Sequence, residues 1–278
     1  MEVIVDFLIN KDNEIITKVL THFNEDYLTH KYFNDGTQSR VILLNNKFLI
    51  KQNTEKAIRA EVEFLLLNKI DKFQKILYVD PTYQFAVYEF IEGDVMKSVD
   101  DIDDLISNIV FITTHYKFYN HDGFGYLGEE FNSWSEFLDS EVTYSSSNLS
   151  NYISDNRLVF NCIKDLEKYK FNKRLLHGDF GTHNFIKQNG KFIGAIDPMP
   201  VIGDYLYDLF SAVFSNTGIA SKLSLEEILN LVDEPRDKMI DMIVIVLYIR
   251  ISRCLKYHPV DIGVYMRVWD ELSLTFRA

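Results

Sequence analysis

"RLLHGDFGTHNFIKQNGKFIGAIDP", residues 174–198, brings together Asp179, Asn184 and Asp197, two histidines, His177 and His183, and an Asn-Gly pair at 189–190. Asn-Gly between two β-rich runs is a strong hairpin signal, because both residues tolerate the left-handed conformation that a two-residue turn requires. The arms "NFIKQ" and "KFIGAID" are therefore expected to pair antiparallel. Folding about the turn sets Asn184 opposite about residue 195 and leaves Asp197 at the same end of the ribbon. Asp179 lies in the loop that feeds this end.

Two carboxylates and an amide oxygen gathered in this way form a set of hard oxygen donors. Mg2+ prefers such oxygens and usually takes only one or two from protein, the rest coming from water and substrate phosphates. Asn184 and Asp197 supply that number. Asp179 is then left to accept a hydrogen bond from an attacking hydroxyl, the base or positioning role in phosphoryl transfer.

Upstream, "SRVILLNNKFLIKQ" reads as two strands joined at Asn45 and Asn46, with Lys51 on the second. Thr54 offers an N-cap to a helix that carries Ile58, Val62 and Leu65 on one face. Glu61 falls on that inward face and Glu63 points nearly opposite. Phosphoryl transfer needs a lysine for the phosphates and a carboxylate to hold it, and Lys51 with Glu61 meets that need. "KILYVD", closed by Pro81, and "FAVYEFIEGD" suggest two more strands before a turn at Gly93. From Ser98 onward helices dominate, beginning with an amphipathic one whose acidic residues lie at its positive end. Met239–Ile251 is apolar on nearly every side and reads as a buried helix.

"HGDFGTHN" followed by "IDP" resembles the catalytic loop and metal-binding strand of aminoglycoside phosphotransferases and related small-molecule kinases. "GDYLYDL", Gly203–Leu209, looks like the same family, and the "AIDP…GD…YD" run is particularly similar to streptomycin-type phosphotransferases. The resemblance implies an α+β, two-lobed, protein-kinase-like fold. A small, mostly β N-terminal lobe with one key helix, residues 1–92, would bind nucleotide. A larger helical C-terminal lobe, residues 93–278, would carry the catalytic hairpin and bind the acceptor. Mg2+ as cofactor, ATP or GTP as phosphoryl donor and the hydroxyl of a cationic small molecule, an aminoglycoside first, as acceptor are also implied.

Residue by residue, the resemblance sets "DGTQSRV" as the short glycine-containing turn over the phosphates, with Gly36, Thr37, Gln38 and Ser39. It makes "YEFIEGD" the hinge whose backbone near Glu89 and Ile91 reads adenine. It gives His177 a loop-anchoring role and Asp208 the support of the catalytic loop from below. The roles of His183 and Asp204 stay open. "WDE", residues 269–271, lies where aminoglycoside kinases bring acidic groups to cationic substrates, which makes Asp270 and Glu271 acceptor-binding candidates.

The 278 residues carry 29 basic and 41 acidic side chains, a formal charge of −12 that repels phosphate backbones and disfavours a nucleic-acid partner. Two distant cysteines, Cys162 and Cys254, support neither a disulfide scaffold nor a thiolate metal site, and fit a reducing cytoplasm. The apolar run Met242–Ile249 is too short to span a bilayer, so no membrane insertion is expected. Two other functions share these motifs. One is a metabolite kinase acting on choline, methylthioribose or homoserine, and the other is a nucleotide-binding pseudoenzyme or adaptor. The second would be expected to lack a catalytic group, whereas Lys51, Glu61, Asp179, Asn184 and Asp197 are all present. A protein kinase is disfavoured by Pro198 after the metal aspartate and by the lack of an A-P-E element.

Overall fold

The computed structural model describes residues 2–33 and 39–275 and divides the chain into two compact units. The first comprises Met1–Leu65 and Gln74–Ile91, the second Leu66–Phe73 and Glu92–Ala278.

The first unit is built on a five-stranded antiparallel sheet. Its elements are helix α1 (Glu2–Phe23), strands β1 (His30–Phe33), β2 (Arg40–Leu44) and β3 (Phe48–Gln52), helix α2 (Glu55–Leu67), and strands β4 (Ile76–Val79) and β5 (Phe85–Glu89), in sheet order β1-β2-β3-β5-β4. Asn45 and Asn46 both take positive φ, 54° and 51°, and close the β2–β3 hairpin as their residue type allows. Thr54 caps α2, its Oγ1 accepting from the Ala57 N–H at 3.3 Å.

The unit carries one helix more than the sequence pattern suggests. On α1, Ile15, Ile16 and Val19 are buried against Ile42, Leu44, Ile50 and Val87 of the sheet, with Leu20 and Phe23 beside them. That spacing is helical, but it lies beyond the first apolar run and escapes a search for strands. Asp12 anchors the helix. It is buried, pairs with Arg40, and accepts from Tyr32 Oη at 3.0 Å and Gln52 Nε2 at 3.1 Å.

The second unit is helical around two small sheets. It contains β6 (Asp94–Val95), α3 (Ile102–Thr114), β7 (Gly125–Tyr126), α4 (Trp134–Leu149), α5 (Arg157–Leu166), β8 (Arg174–Leu176), β9 (Phe185–Gln188), β10 (Lys191–Ala195), β11 (Val201–Gly203), α6 (Leu206–Val213), α7 (Thr217–Ala220), α8 (Leu225–Leu229), α9 (Arg236–Tyr257) and α10 (Ile262–Thr275). The sheets run β10-β9-β6 and β7-β11-β8. Helix α9 is the core element: Met239 and every residue from Asp241 to Ile249 are buried. It packs against α4, α5, α6 and α10. Asp101 caps α3, its side chain accepting from the Asp104 N–H, with Asp103 and Asp104 in the first turn where the helix dipole favours them. Cys162 and Cys254 are buried and unbonded to each other. No helix of the described residues is long and apolar enough to cross a membrane.

The β9–β10 hairpin forms as the Asn-Gly pair requires. Asn189 and Gly190 take φ of 53° and 78°, and Gln188 pairs with Lys191. A bulge between Phe192 and Gly194 inserts one extra residue into β10. Phe185 therefore pairs with Ala195, and the Ile196 N–H, not residue 195, meets the Asn184 carbonyl at 2.9 Å. This one-residue correction still leaves Asp197 next to the paired end.

Candidate active site

The loop from β8 to β9 is fixed from several sides before any catalytic role is considered. His177 is buried, its Nε2 lies 3.0 Å from the Ile196 carbonyl, and its own carbonyl accepts from the Met199 N–H at 2.8 Å. Gly178 follows at φ 80° and donates its N–H to the Asp208 carboxylate at 3.1 and 3.2 Å. Asp208, at the start of α6, is fully buried and also accepts from Tyr116 Oη at 2.9 Å. Further along, the Thr182 N–H donates to Ser215 Oγ at 2.9 Å. Burial moves both titrating anchors in the direction that disfavours charge. His177 falls to about 4 despite nearby carboxylates, and Asp208 rises to about 7 despite the hydrogen bonds it accepts.

Asp179 and Asn184 come together at the mouth of this loop. Asn184 Nδ2 donates to the Asp179 carbonyl at 2.9 Å and to Asp179 Oδ2 at 3.0 Å. His183 Nε2 lies 3.1 Å from the same Oδ2, and Arg253 of α9 approaches Oδ1 at 3.9 Å. Burial by itself would raise the Asp179 pKa. The His183 hydrogen bond and the charges of His183 and Arg253 outweigh it and hold the carboxyl far below the usual range. Asp179 is thus an ionised acceptor, better suited to orienting a hydroxyl than to storing its proton.

The donor set fits a magnesium ion. Two donated hydrogen bonds fix the Asn184 amide and turn its oxygen away from Asp179, where it could serve a metal. Asp197, one residue beyond the Ile196 bridge to Asn184, is exposed and takes φ 59°. That conformation is uncommon outside glycine, although aspartate is among the residues that tolerate it. No group of three or more His, Cys, Asp or Glu suited to a metal occurs among the described residues. A site of two protein oxygens completed by phosphates and water needs no such group.

In the first unit, Lys51 on β3 donates to Glu61 Oε2 on α2 at 2.7 Å, and both residues are buried, while Glu63 is exposed. The Glu89 N–H donates to the Lys75 carbonyl at 2.9 Å and the Phe90 N–H to the Lys47 carbonyl at 3.1 Å. The Ile91 N–H makes no hydrogen bond among the described residues. Gly36, Thr37 and Gln38 lie outside the described residues; Ser39, half-buried, leads into β2.

Asp204 is buried and doubly engaged, accepting from the Leu206 N–H at 3.0 Å and pairing with Lys238 at 2.9 Å. That geometry makes it a stay between α6 and α9. Asp270 and Glu271 are exposed on α10, beside the buried Trp269. Neither lines the pocket that opens next to Asp179.

That pocket holds residues the sequence pattern did not single out. Arg250 belongs to the Met239–Ile251 stretch read as core, and Arg253 follows one turn later; both line the pocket with Asp179 and His183. The signal was present. Two arginines three apart on a buried helix must be answered by carboxylates or by a polar cavity.

No protein-family model matches the sequence, and no curated protein matches it. Solved structures do. Aminoglycoside phosphotransferase APH(4)-Ia aligns over 94% of this chain and 98% of its own, with a TM-score of 0.60 at 12% identity. The GDP complex of wild-type aminoglycoside 2'-phosphotransferase-IIIa aligns over 94% and 98%, with a TM-score of 0.56 at 13% identity. The fold is that of the aminoglycoside phosphotransferases. A thermostable mutant of APH(4)-Ia in ternary complex with ADP and hygromycin B aligns over 93% and 97%, with a TM-score of 0.60 at 12% identity. Identity this low makes the aminoglycoside phosphotransferase likeness one of fold.

Proposed function

We propose that this chain is a magnesium-dependent O-phosphotransferase that moves the γ-phosphate of ATP or GTP to a hydroxyl of a small molecule. The observation that carries the proposal is the Asp179–Asn184 pair. One ionised carboxylate is held by the amide of a neighbour whose oxygen is left for a metal, with Asp197 one residue past the backbone bridge. Asn184 and Asp197 would hold Mg2+, which when bound neutralises phosphate charge. Lys51, steadied by Glu61, would meet the donor phosphates, and the backbone near Glu89 and Ile91 would receive adenine. Residues 1–92 would thus serve nucleotide binding and 93–278 catalysis and acceptor binding. His177 and Asp208 would hold the loop. The ADP and GDP complexes of the fold neighbours support the donor assignment.

A cationic acceptor, an aminoglycoside first, is supported by the charge of −12 and by the hygromycin B and kanamycin complexes of fold neighbours. A metabolite acceptor bearing a carboxylate, as homoserine does, is favoured by a different observation, the two arginines in the pocket beside Asp179. The test is a panel of aminoglycosides, choline, methylthioribose and homoserine with ATP or GTP, read by nucleoside diphosphate release and by the acceptor's mass. Phosphorylation of any member supports the proposal. A purified protein that binds neither nucleotide in the presence of Mg2+ would refute it.

A further inference from the structure

Val246, Ile249, Arg250 and Arg253 follow the i, i+3, i+4, i+7 spacing of one helix face, and this face of α9 forms a wall of the pocket beside Asp179. The pocket is partly open to solvent, and its lining includes Asp179 and His183 but neither Asn184 nor Asp197. It therefore borders Asp179 from the side of Arg253, which approaches Oδ1, without touching the proposed metal oxygens.

The two guanidiniums are balanced differently. Arg253 faces Glu141 at 3.5 Å and Asp179 at 3.9 Å. Arg250 donates to the Ser215 carbonyl at 3.0 Å and to Tyr265 Oη at 3.3 Å, and lies 5.4 Å from the Tyr265 ring centre. Among the described residues no carboxylate reaches it. Ser211, on α6, lines the same pocket, and its hydroxyl has no hydrogen-bond partner among the described residues. A half-buried guanidinium held by neutral partners, in a pocket that also contains a spare hydroxyl, is suited to a carboxylate or phosphate. A cationic group in the same place would meet the Arg250 charge, which no carboxylate among the described residues offsets.

We infer that the acceptor carries an anionic group, carboxylate or phosphate, which binds at Arg250 and Ser211 while its hydroxyl is oriented by Asp179. This rests on the phosphotransferase reading and deepens its second form, the metabolite acceptor, by naming the chemical class of that acceptor. In the reaction the hydroxyl oxygen bonds to the γ-phosphorus and the bond to the bridging oxygen breaks. The electron pair leaves on the nucleoside diphosphate, and the hydroxyl proton passes by Asp179 to water.

The test uses the full chain with Mg2+ and ATP or GTP. Gluconate and glycerate serve as hydroxy acids, ribose 5-phosphate and glucose 6-phosphate as sugar phosphates, and choline, kanamycin and hygromycin B as cations. Turnover and direct binding by calorimetry are both measured. At least one anionic probe is bound by the wild type, and Arg250→Gln weakens its Kd or KM by about ten- to a hundredfold, the loss of a charged hydrogen bond. Ser211→Ala, which disturbs no other side-chain bond, weakens it less. Arg250→Lys recovers more affinity for a phosphate probe than for a carboxylate that needs the fork, which tells the two sources apart. The inference is overturned if no anionic probe binds the wild type more tightly than Arg250→Gln, or if only cations are phosphorylated. Magnesium-dependent nucleotide binding without acceptor tests the phosphotransferase reading separately.

Discussion

At the scale of single residues the proposed function separates a metal-holding role from an orienting one, and the two should fail differently. Asp197 would hold the ion that offsets donor phosphate charge, so Asp197→Ala should reduce magnesium-dependent nucleotide affinity and turnover together, by an order of magnitude or more. Titrations with and without Mg2+ check this; a mutant whose nucleotide affinity responds to Mg2+ as the wild type does would remove Asp197 from the metal role. Lys51 and Glu61 form a buried pair, and a buried ion stripped of its partner costs about 3–5 kcal/mol. Glu61→Gln should therefore lower stability as well as nucleotide affinity, a combination that thermal melting with and without ATP would register.

At the scale of elements the site depends on backbone that only certain residues can supply. Gly178 sits at φ 80°, and a Cβ there would fall 1.9 Å from the Met199 carbonyl oxygen. Backbone cannot yield as a side chain does, so Gly178→Ala should destabilise the protein by more than about 3 kcal/mol or prevent folding. Gly263, on α10, has nothing within 4 Å of where a Cβ would stand, and Gly263→Ala should be neutral or stabilising by up to about 1 kcal/mol. Urea melts of the pair check the contrast. Much of this level was legible in the sequence: Asn189-Gly190 announced its hairpin, Thr54 its cap, and Ile58, Val62 and Leu65 the buried face that carries Glu61 inward. The bulge at Phe192–Gly194 was not, since it depends on sheet twist and neighbours beyond the pattern of the strand itself. Helix α1 was hidden because its burial depends on the sheet beneath it. Arg250 was hidden by the apolar residues around it, which say that α9 is buried but not that one face borders a polar pocket.

At the scale of the whole molecule the two buried anchors of the β8–β9 loop set opposed pH dependences. His177, at about 4 against an ordinary 6.5, contributes stability that is present above pH 6.5 and lost as pH falls to 4. Asp208, at about 7 against 3.8, contributes stability that is present below 3.8 and lost as pH rises to 7. The two largely offset each other between pH 4 and 7. Asp208→Asn, which keeps an oxygen for the Gly178 N–H, should therefore lose stability more steeply on acidification than the wild type, by up to about 1.4 kcal/mol per pH unit. His177→Gln should lose it less steeply. Denaturant melts at pH 7, 5.5 and 4.5 give the slopes, and parallel curves for all three proteins would contradict the assignment. Phosphate transfer by this chain, with Asp179 orienting the attacking hydroxyl, stands or falls on nucleoside diphosphate release by Asp179→Asn, measured beside its magnesium-nucleotide affinity. Turnover should fall by on the order of a hundredfold or more with affinity nearly intact. Turnover equal to that of the wild type would contradict this mechanism.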